Sequence, residues 1–190
     1  MNDLRWLSVF AIVFIATLGS GQGPSQTIWL DKQISNWNKS VAGPPNSRKI
    51  GDVAFAPECD LRSADTAEDR VLTRAGWTLF GPQEKFGGTL VVVATSNVDG
   101  MCRPLDYQVF VFVKGRFAGT LSPLPMNSRT DGAESSVHFS SELALSADFL
   151  RYKASDPMCC PSRTTRVSYR IEKKNGEPIL VPESVQTTSQ

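Results

Sequence analysis

Histidine is almost absent: His138 is the only one among 190 residues. A Ser-His-Asp triad, a His-ligated metal centre or an imidazole proton relay would therefore have a single side chain to draw on. There is also no Cys-x-x-Cys, no Gly-x-Ser-x-Gly and no glycine-rich phosphate loop ending in Lys. Zinc-ribbon, nucleophile-elbow and P-loop chemistries thus lack their sequence signatures. Surplus charge is missing as well. Twenty Lys and Arg face 19 Asp and Glu, a net of +1, and only 21% of residues are charged. That balance excludes the basic excess of a nucleic-acid-binding protein, and no nucleic-acid partner is expected. Internal repeats and low-complexity segments are lacking. What is present is a 41% hydrophobic content, enough for one core and too much for global disorder.

The single long apolar run sits at the start. Between Arg5 and Asp31 no residue is charged, and residues 6–18 are almost wholly apolar. As a helix, those thirteen residues reach about 20 Å, whereas a bilayer core needs about 20 residues to span. The length suits a signal-peptide core, and Gly19, Ser20 and Gly21 supply small residues for cleavage. The sequence therefore predicts a signal peptide over 1–21 and a periplasmic or secreted protein. The alternatives are an uncleaved anchor, giving membrane contact through this segment alone, and an ordinary buried helix. No cysteine lies near residues 19–23, so lipid attachment through an N-terminal cysteine is not expected.

The cysteines fit export. Cys59, Cys102, Cys159 and Cys160 form an even set beyond the leader, which in an oxidising compartment reads as disulfides. Adjacent residues of an extended segment point opposite ways, so Cys159 and Cys160 are expected to reach different partners among Cys59 and Cys102. A Cys59–Cys102 bond beside a vicinal Cys159–Cys160 bond is the second option. A soft-metal site with Met101, Met158 and His138, or a redox-active pair, is the rival chemistry. Neither a metal site nor a cofactor is expected.

Along the mature chain, Trp29, Leu30, Ile34 and Trp37 recur at helical spacing, predicting an amphipathic helix over 24–40. An irregular tether follows to residue 58. Thr66 and Asp69 have capping-box spacing ahead of Val71, Leu72 and Ala75, with Gly76 as a stop, predicting a helix over 67–75. From Trp77 the pattern is that of strands: 77–80 (broken by Gly81-Pro82), 89–95, a hairpin of 107–113 and 116–121 turning at Lys114-Gly115, 136–140, 143–152, 163–173 and 178–181. Val109, Val111 and Val113 alternate with Phe110 and Phe112, so that strand is greasy on both faces and should be central. The boundaries are a leader (1–21), a helix and tether (22–58), a β-rich domain (59–182) and a polar tail (183–190). The fold class is α+β: one antiparallel sheet of about six or seven strands with one or two short N-terminal helices on one face. A small β-sandwich is the alternative.

Several strings carry a family resemblance: Gly-Trp-Thr-Leu-Phe (76–80), Asp-Gly-Met-Cys-Arg-Pro (99–104), Phe-Ala-Gly-Thr-Leu-Ser-Pro (117–123), Asn-Ser-Arg-Thr-Asp-Gly (127–132) and Asp-Pro-Met-Cys-Cys-Pro-Ser (156–162). Over about residues 75–172 the chain resembles the LppP/LprE-type family of exported bacterial proteins and lipoproteins, most closely its cyanobacterial branch. The resemblance implies an exported location and transfers no activity.

Loop residues are the remaining candidates. Arg103, Arg129 and Asp131 lie in segments dense in Pro, Gly and Met, and arginine forks suit carboxylate or phosphate groups of a ligand. The plainer role is that each Arg ties down its own loop. Asp99, Asp106, Asp131 and Asp156 could supply a glycosidase pair, although Asp is also the residue that turns favour. His138, flanked by Val137 and Phe139, reads as an exposed or hydrogen-bonded strand residue. The expected function is a non-enzymatic envelope-associated protein binding a small ligand or partner protein through loop surfaces. An envelope hydrolase and an accessory subunit of an envelope assembly are the alternatives.

Overall fold

The computed structural model describes residues 28–39, 43–48 and 59–189. The predicted leader (1–21) and much of the predicted tether lie outside the described residues.

Among the described residues the strands form two four-stranded antiparallel sheets. The first is a meander of β1 (Thr78–Phe86), β2 (Thr89–Val98), β3 (Pro104–Val113) and β4 (Arg116–Thr120). The second is a meander of β5 (Glu134–Ser141), β6 (Ala144–Arg151), β7 (Arg163–Lys174) and β8 (Glu177–Ser189). The expectation of one sheet with six or seven strands is corrected to eight strands in two sheets. The cause is the segment between β4 and β5. Pro123 and Pro125 cannot donate to a ladder, so the first meander ends and the second folds back across it. Val109, Val111 and Val113 of β3 share one core with Leu145, Ala147 and Phe149 of β6 and with Val167, Tyr169 and Ile171 of β7. Two sheets burying one face each against a common core is the sandwich arrangement.

The alternation in β3 works as read. Its valines enter the inter-sheet core, while Phe110 and Phe112 join Leu72, Trp77, Leu79 and Val92 in a second core on the other face of the first sheet. The lid over that second core is α1 (Ala67–Arg74), which sends Leu72 into it. Its capping box is complete: Thr66 Oγ1 accepts from the Asp69 N–H, and the Asp69 carboxylate accepts from the Thr66 N–H. Arg62 also grips Asp69 with two bonds of 2.7 Å. Burial alone would raise the Asp69 carboxyl, but the bonds from Arg62, Thr66 and Gln83 outweigh it and hold the group near 2.

Three elements depart from expectation. The helix expected over 24–40 is reduced, within the described residues, to one 3-10 turn at Trp29–Asp31, and residues 28–39 as a whole run as an irregular strap. Ser35, Asn36 and Asn38 favour this outcome because their side chains compete with helical bonds; Asn36 Oδ1 accepts from the Asn38 N–H at 2.8 Å. Gly81-Pro82 does not end β1. Instead the register shifts between Phe80 and Glu84, and the strand continues to Phe86. The polar tail is, through Ser189, the exposed outer half of β8, paired to β7 from Arg163 to Ser168.

Candidate functional site

The strap carries two indoles onto the rim of the sandwich. Trp29 stands edge-to-face against Trp37 at 5.0 Å and against Phe149 at 5.2 Å, and Trp37 meets Tyr169 at 6.3 Å. Leu30 beside them is buried in the inter-sheet core. Both tryptophans remain half-buried, so the aromatic cluster is an extension of the core with one side facing outward.

Three polar fasteners hold the strap, the first being the Trp37 indole N–H, which donates to the Thr120 carbonyl at 3.0 Å. Asn38 is buried across the seam between β4 and β8: its Nδ2 donates to the carbonyls of Thr120 and Leu180, both at 3.1 Å, and its Oδ1 accepts from the Thr120 N–H at 3.0 Å. Arg151, 4% exposed, donates to Asp31 of the strap at 2.7 Å and to Asp131 at 2.9 Å. Burial works against the Arg151 charge, but the bonds and charges of Asp31 and Asp131 more than offset it and raise its pKa.

Opposite the strap lies loop 121–132, fixed from beneath. Buried Ser122 donates to Gln108 Oε1 at 2.6 Å and Gln108 donates back to the Ser122 carbonyl at 3.0 Å. Tyr107 and Met126 exchange backbone bonds of 2.8 and 2.7 Å, and Asn127 Oδ1 accepts from the Asp106 N–H at 2.8 Å. Strap and loop enclose a groove that Trp29 divides in two. One cavity of about 170 Å³ is lined by Ile28, Trp29, Leu124, Met126, Asn127 and Asp131, among others. The other, about 120 Å³, is lined by Trp29, Lys32, Gln33, Trp37 and Pro123, among others. Each is smaller than a typical drug-sized pocket of about 300–1,000 Å³.

Of the three loop residues expected to form a site, the structure brings only Asp131 to this groove. Arg103 is turned onto its own loop, its Nε 2.6 Å from Asp99 Oδ2. Arg129, in the left-handed region at φ 59°, is exposed and makes no hydrogen bond or ion pair among the described residues. Arg103, Arg129 and Asp131, the possible ligand-loop residues, therefore do not meet in this groove, and the guanidinium on Asp131 is that of Arg151. Its signal was in the sequence: Arg151 continues the inward series Leu145, Ala147, Phe149, so a cation stands where the pattern asks for an apolar residue.

The cysteine pairing is also corrected. Cys59 bonds to Cys102 with an S–S distance of 2.08 Å, and Cys159 pairs with Cys160. Each bond stays within the loops of one sheet. Residues 59–61 run beside β1, where Leu61 bridges Phe80, and Cys102 lies in the β2–β3 turn of that same sheet. Cys159 and Cys160 sit in the β6–β7 loop of the other sheet.

The loop carboxylates are occupied locally. Asp99 serves Arg103 and the Met101 N–H, Asp106 accepts from Ser96, and Asp156 accepts from the Lys153 N–H and from Ser162. His138 is 51% exposed. Ser136 Oγ and Asp148 Oδ2 both approach its Nε2, each at 3.2 Å. A catalytic relay places the hydroxyl and the carboxylate on opposite ring nitrogens, so this trio is not one. Asp148 is instead clasped by Arg166 through two bonds of 2.7 Å. Among the described residues no cluster of three or more His, Cys, Asp or Glu could hold a metal, and no helix is long and apolar enough to cross a membrane.

Glu134, at the start of β5, is the titratable group that sequence reading missed. Desolvation first, then the charges of Glu84 and Asp148, push its carboxyl up to about 7 from 4.5. At low pH both folded and unfolded chains hold this proton. Between about pH 4.5 and 7 only the folded chain keeps it, so stability falls as pH rises through that window and levels off above it. Glu134→Gln is expected to raise stability at pH 8 by about 2 kcal/mol and to flatten this decline, as measured by urea denaturation from pH 5 to 8.

Comparison with known proteins adds one finding. Residues 86–174, just under half of the chain, match the family model described as LppP/LprE lipoprotein. This bears out the resemblance carried by the sequence motifs, although the match starts after the Gly-Trp-Thr-Leu-Phe string at 76–80. No curated protein and no solved structure matches the chain.

Proposed function

We propose that this chain is an exported, envelope-associated binding protein without enzymatic activity, and that it holds a small neutral ligand in the groove divided by Trp29. Export is supported by the leader-like first 21 residues and by the lipoprotein family match over 86–174. The observation that carries the binding role is the groove itself: Trp29 and Trp37 in its walls, a loop locked by buried polar bonds, and polar side chains at Asn127 and Asp131 in one cavity and Gln33 and Ser35 in the other. Apolar walls with a few fixed polar groups are the general make-up of a ligand site. A loop held in place before the ligand arrives lowers the ordering cost of binding.

The chemistry favours a sugar unit. Its C–H face covers an indole, and its hydroxyls both donate and accept, which suits amide, hydroxyl and carboxylate partners together. The test is calorimetric titration of the full chain with short neutral oligosaccharides, alongside Trp29→Phe and Leu124→Ser. Leu124 is 62% exposed on the groove wall, so its replacement leaves the core intact. Saturable binding that weakens at least fivefold in both variants is expected. No heat and no saturation across the panel, or equal affinity in the variants, overturns the proposal.

A further inference from the structure

The two cysteine pairs occupy opposite environments. Cys59 is 5% exposed, and its bond to Cys102 joins residues 43 apart in sequence. Cys159 and Cys160 are both exposed, next to Met158 at 72% exposure. A bond between sequence neighbours closes no length of chain, so it removes almost no entropy from the unfolded state. Nor does its loop need it. The Asp156 carboxylate accepts from the Lys153 N–H at 2.8 Å, the Ser162 N–H at 3.0 Å and Ser162 Oγ at 2.8 Å, closing both ends of the turn. Tyr152 Oη donates to the Met158 carbonyl at 3.2 Å, and the Cys160 N–H donates to the Pro157 carbonyl at 2.9 Å. A cross-link that braces nothing, held at the surface by a turn already built from other bonds, is placed for chemistry.

We propose that Cys159–Cys160 is a thiol–disulfide exchange site that accepts two electrons from an external dithiol. The donor's thiolate attacks one cysteine sulfur, the bond between the two cysteines breaks, and the released cysteine leaves as a thiolate that takes a proton from water. The donor's second thiol, deprotonated, then attacks the donor sulfur of the mixed disulfide. The donor departs as a disulfide, and the remaining cysteine thiolate is protonated. Two electrons and two protons have moved from the donor to the pair. Exposure on a turn admits such a donor, whereas burial shields Cys59. The partner is thus a small or protein dithiol that shares this compartment.

The test treats the native, oxidised full chain with graded dithiothreitol, traps thiols with iodoacetamide and maps them by mass spectrometry. Labelling of Cys159 and Cys160 is expected at concentrations at least tenfold below those that open Cys59–Cys102, with an unchanged circular dichroism spectrum. Phenylarsine oxide, which bridges two adjacent thiols, should then block that labelling at one equivalent per chain. The double variant Cys159→Ser/Cys160→Ser should keep the wild-type urea midpoint. The proposal fails if the vicinal pair opens only with Cys59–Cys102, if both cysteines are already labelled before reduction, or if the double variant unfolds.

Discussion

Asn38→Ala is expected to destabilise the protein by about 4 kcal/mol, a large share of the roughly 5–15 kcal/mol that ordinarily holds a domain folded. The substitution removes three hydrogen bonds at one buried point and leaves the Thr120 N–H and the Leu180 carbonyl facing a void. Net loss is near 1 kcal/mol for each bond, with a further penalty for the stranded backbone groups. Urea denaturation followed by circular dichroism measures it. Gly119 provides the cross-check. At φ 148° its bare Cα leaves room for Asn38, and a Cβ there would lie 2.4 Å from Asn38 Cγ. Gly119→Ala is therefore expected to expel the same amide. Combined with Asn38→Ala, it should cost much less than the sum of the two singles, because both remove one set of bonds.

The second large effect belongs to Cys59 and Cys102. Their bond spans a sequence separation of 43, for which loop-closure entropy gives a stabilisation of about 4 kcal/mol. Cys59→Ser/Cys102→Ser should lower stability by that order, while the corresponding change at Cys159 and Cys160 should leave it untouched. The contrast separates a bond that braces the fold from one that does not. Equal losses in the two double variants would contradict the division of roles.

Much of this architecture is legible in residue order, and what is not has identifiable causes. The capping box of α1 and the two-sided burial of β3 follow from local spacing, because the periods that define them run within one element. Asn175-Gly176 and Lys114-Gly115 mark their hairpins because those turns need positive φ, and Asn175 and Lys114 adopt it at 53° and 50°. The division into two sheets is a long-range outcome. Strand grammar is the same in one sheet or two, and the decision rests on where a ladder stops. The strap misled for a related reason: Trp29, Leu30, Ile34 and Trp37 do face the core, but Asn38 is committed to β4 and β8, and a helix could not satisfy both.

The site was the least legible part. Asp131 could be singled out from its loop, yet its partner Arg151 lies on another strand and Trp29 on the strap. Nothing local in the chain joins these three. Arg103 illustrates the converse. Its partner Asp99 is four residues away, and the plain reading of an arginine tying its own loop describes it.

The most direct measurement of the central claim is an NMR titration of the indole N–H signals with a short neutral oligosaccharide. Trp29 and Trp37 flank the groove, whereas the Trp77 indole donates to the Pro45 carbonyl at 2.7 Å in the second core. Saturable shifts of the Trp29 and Trp37 signals, with Trp77 stationary, are the expected result. Movement of Trp77 together with them, or no movement at saturating sugar, would contradict it.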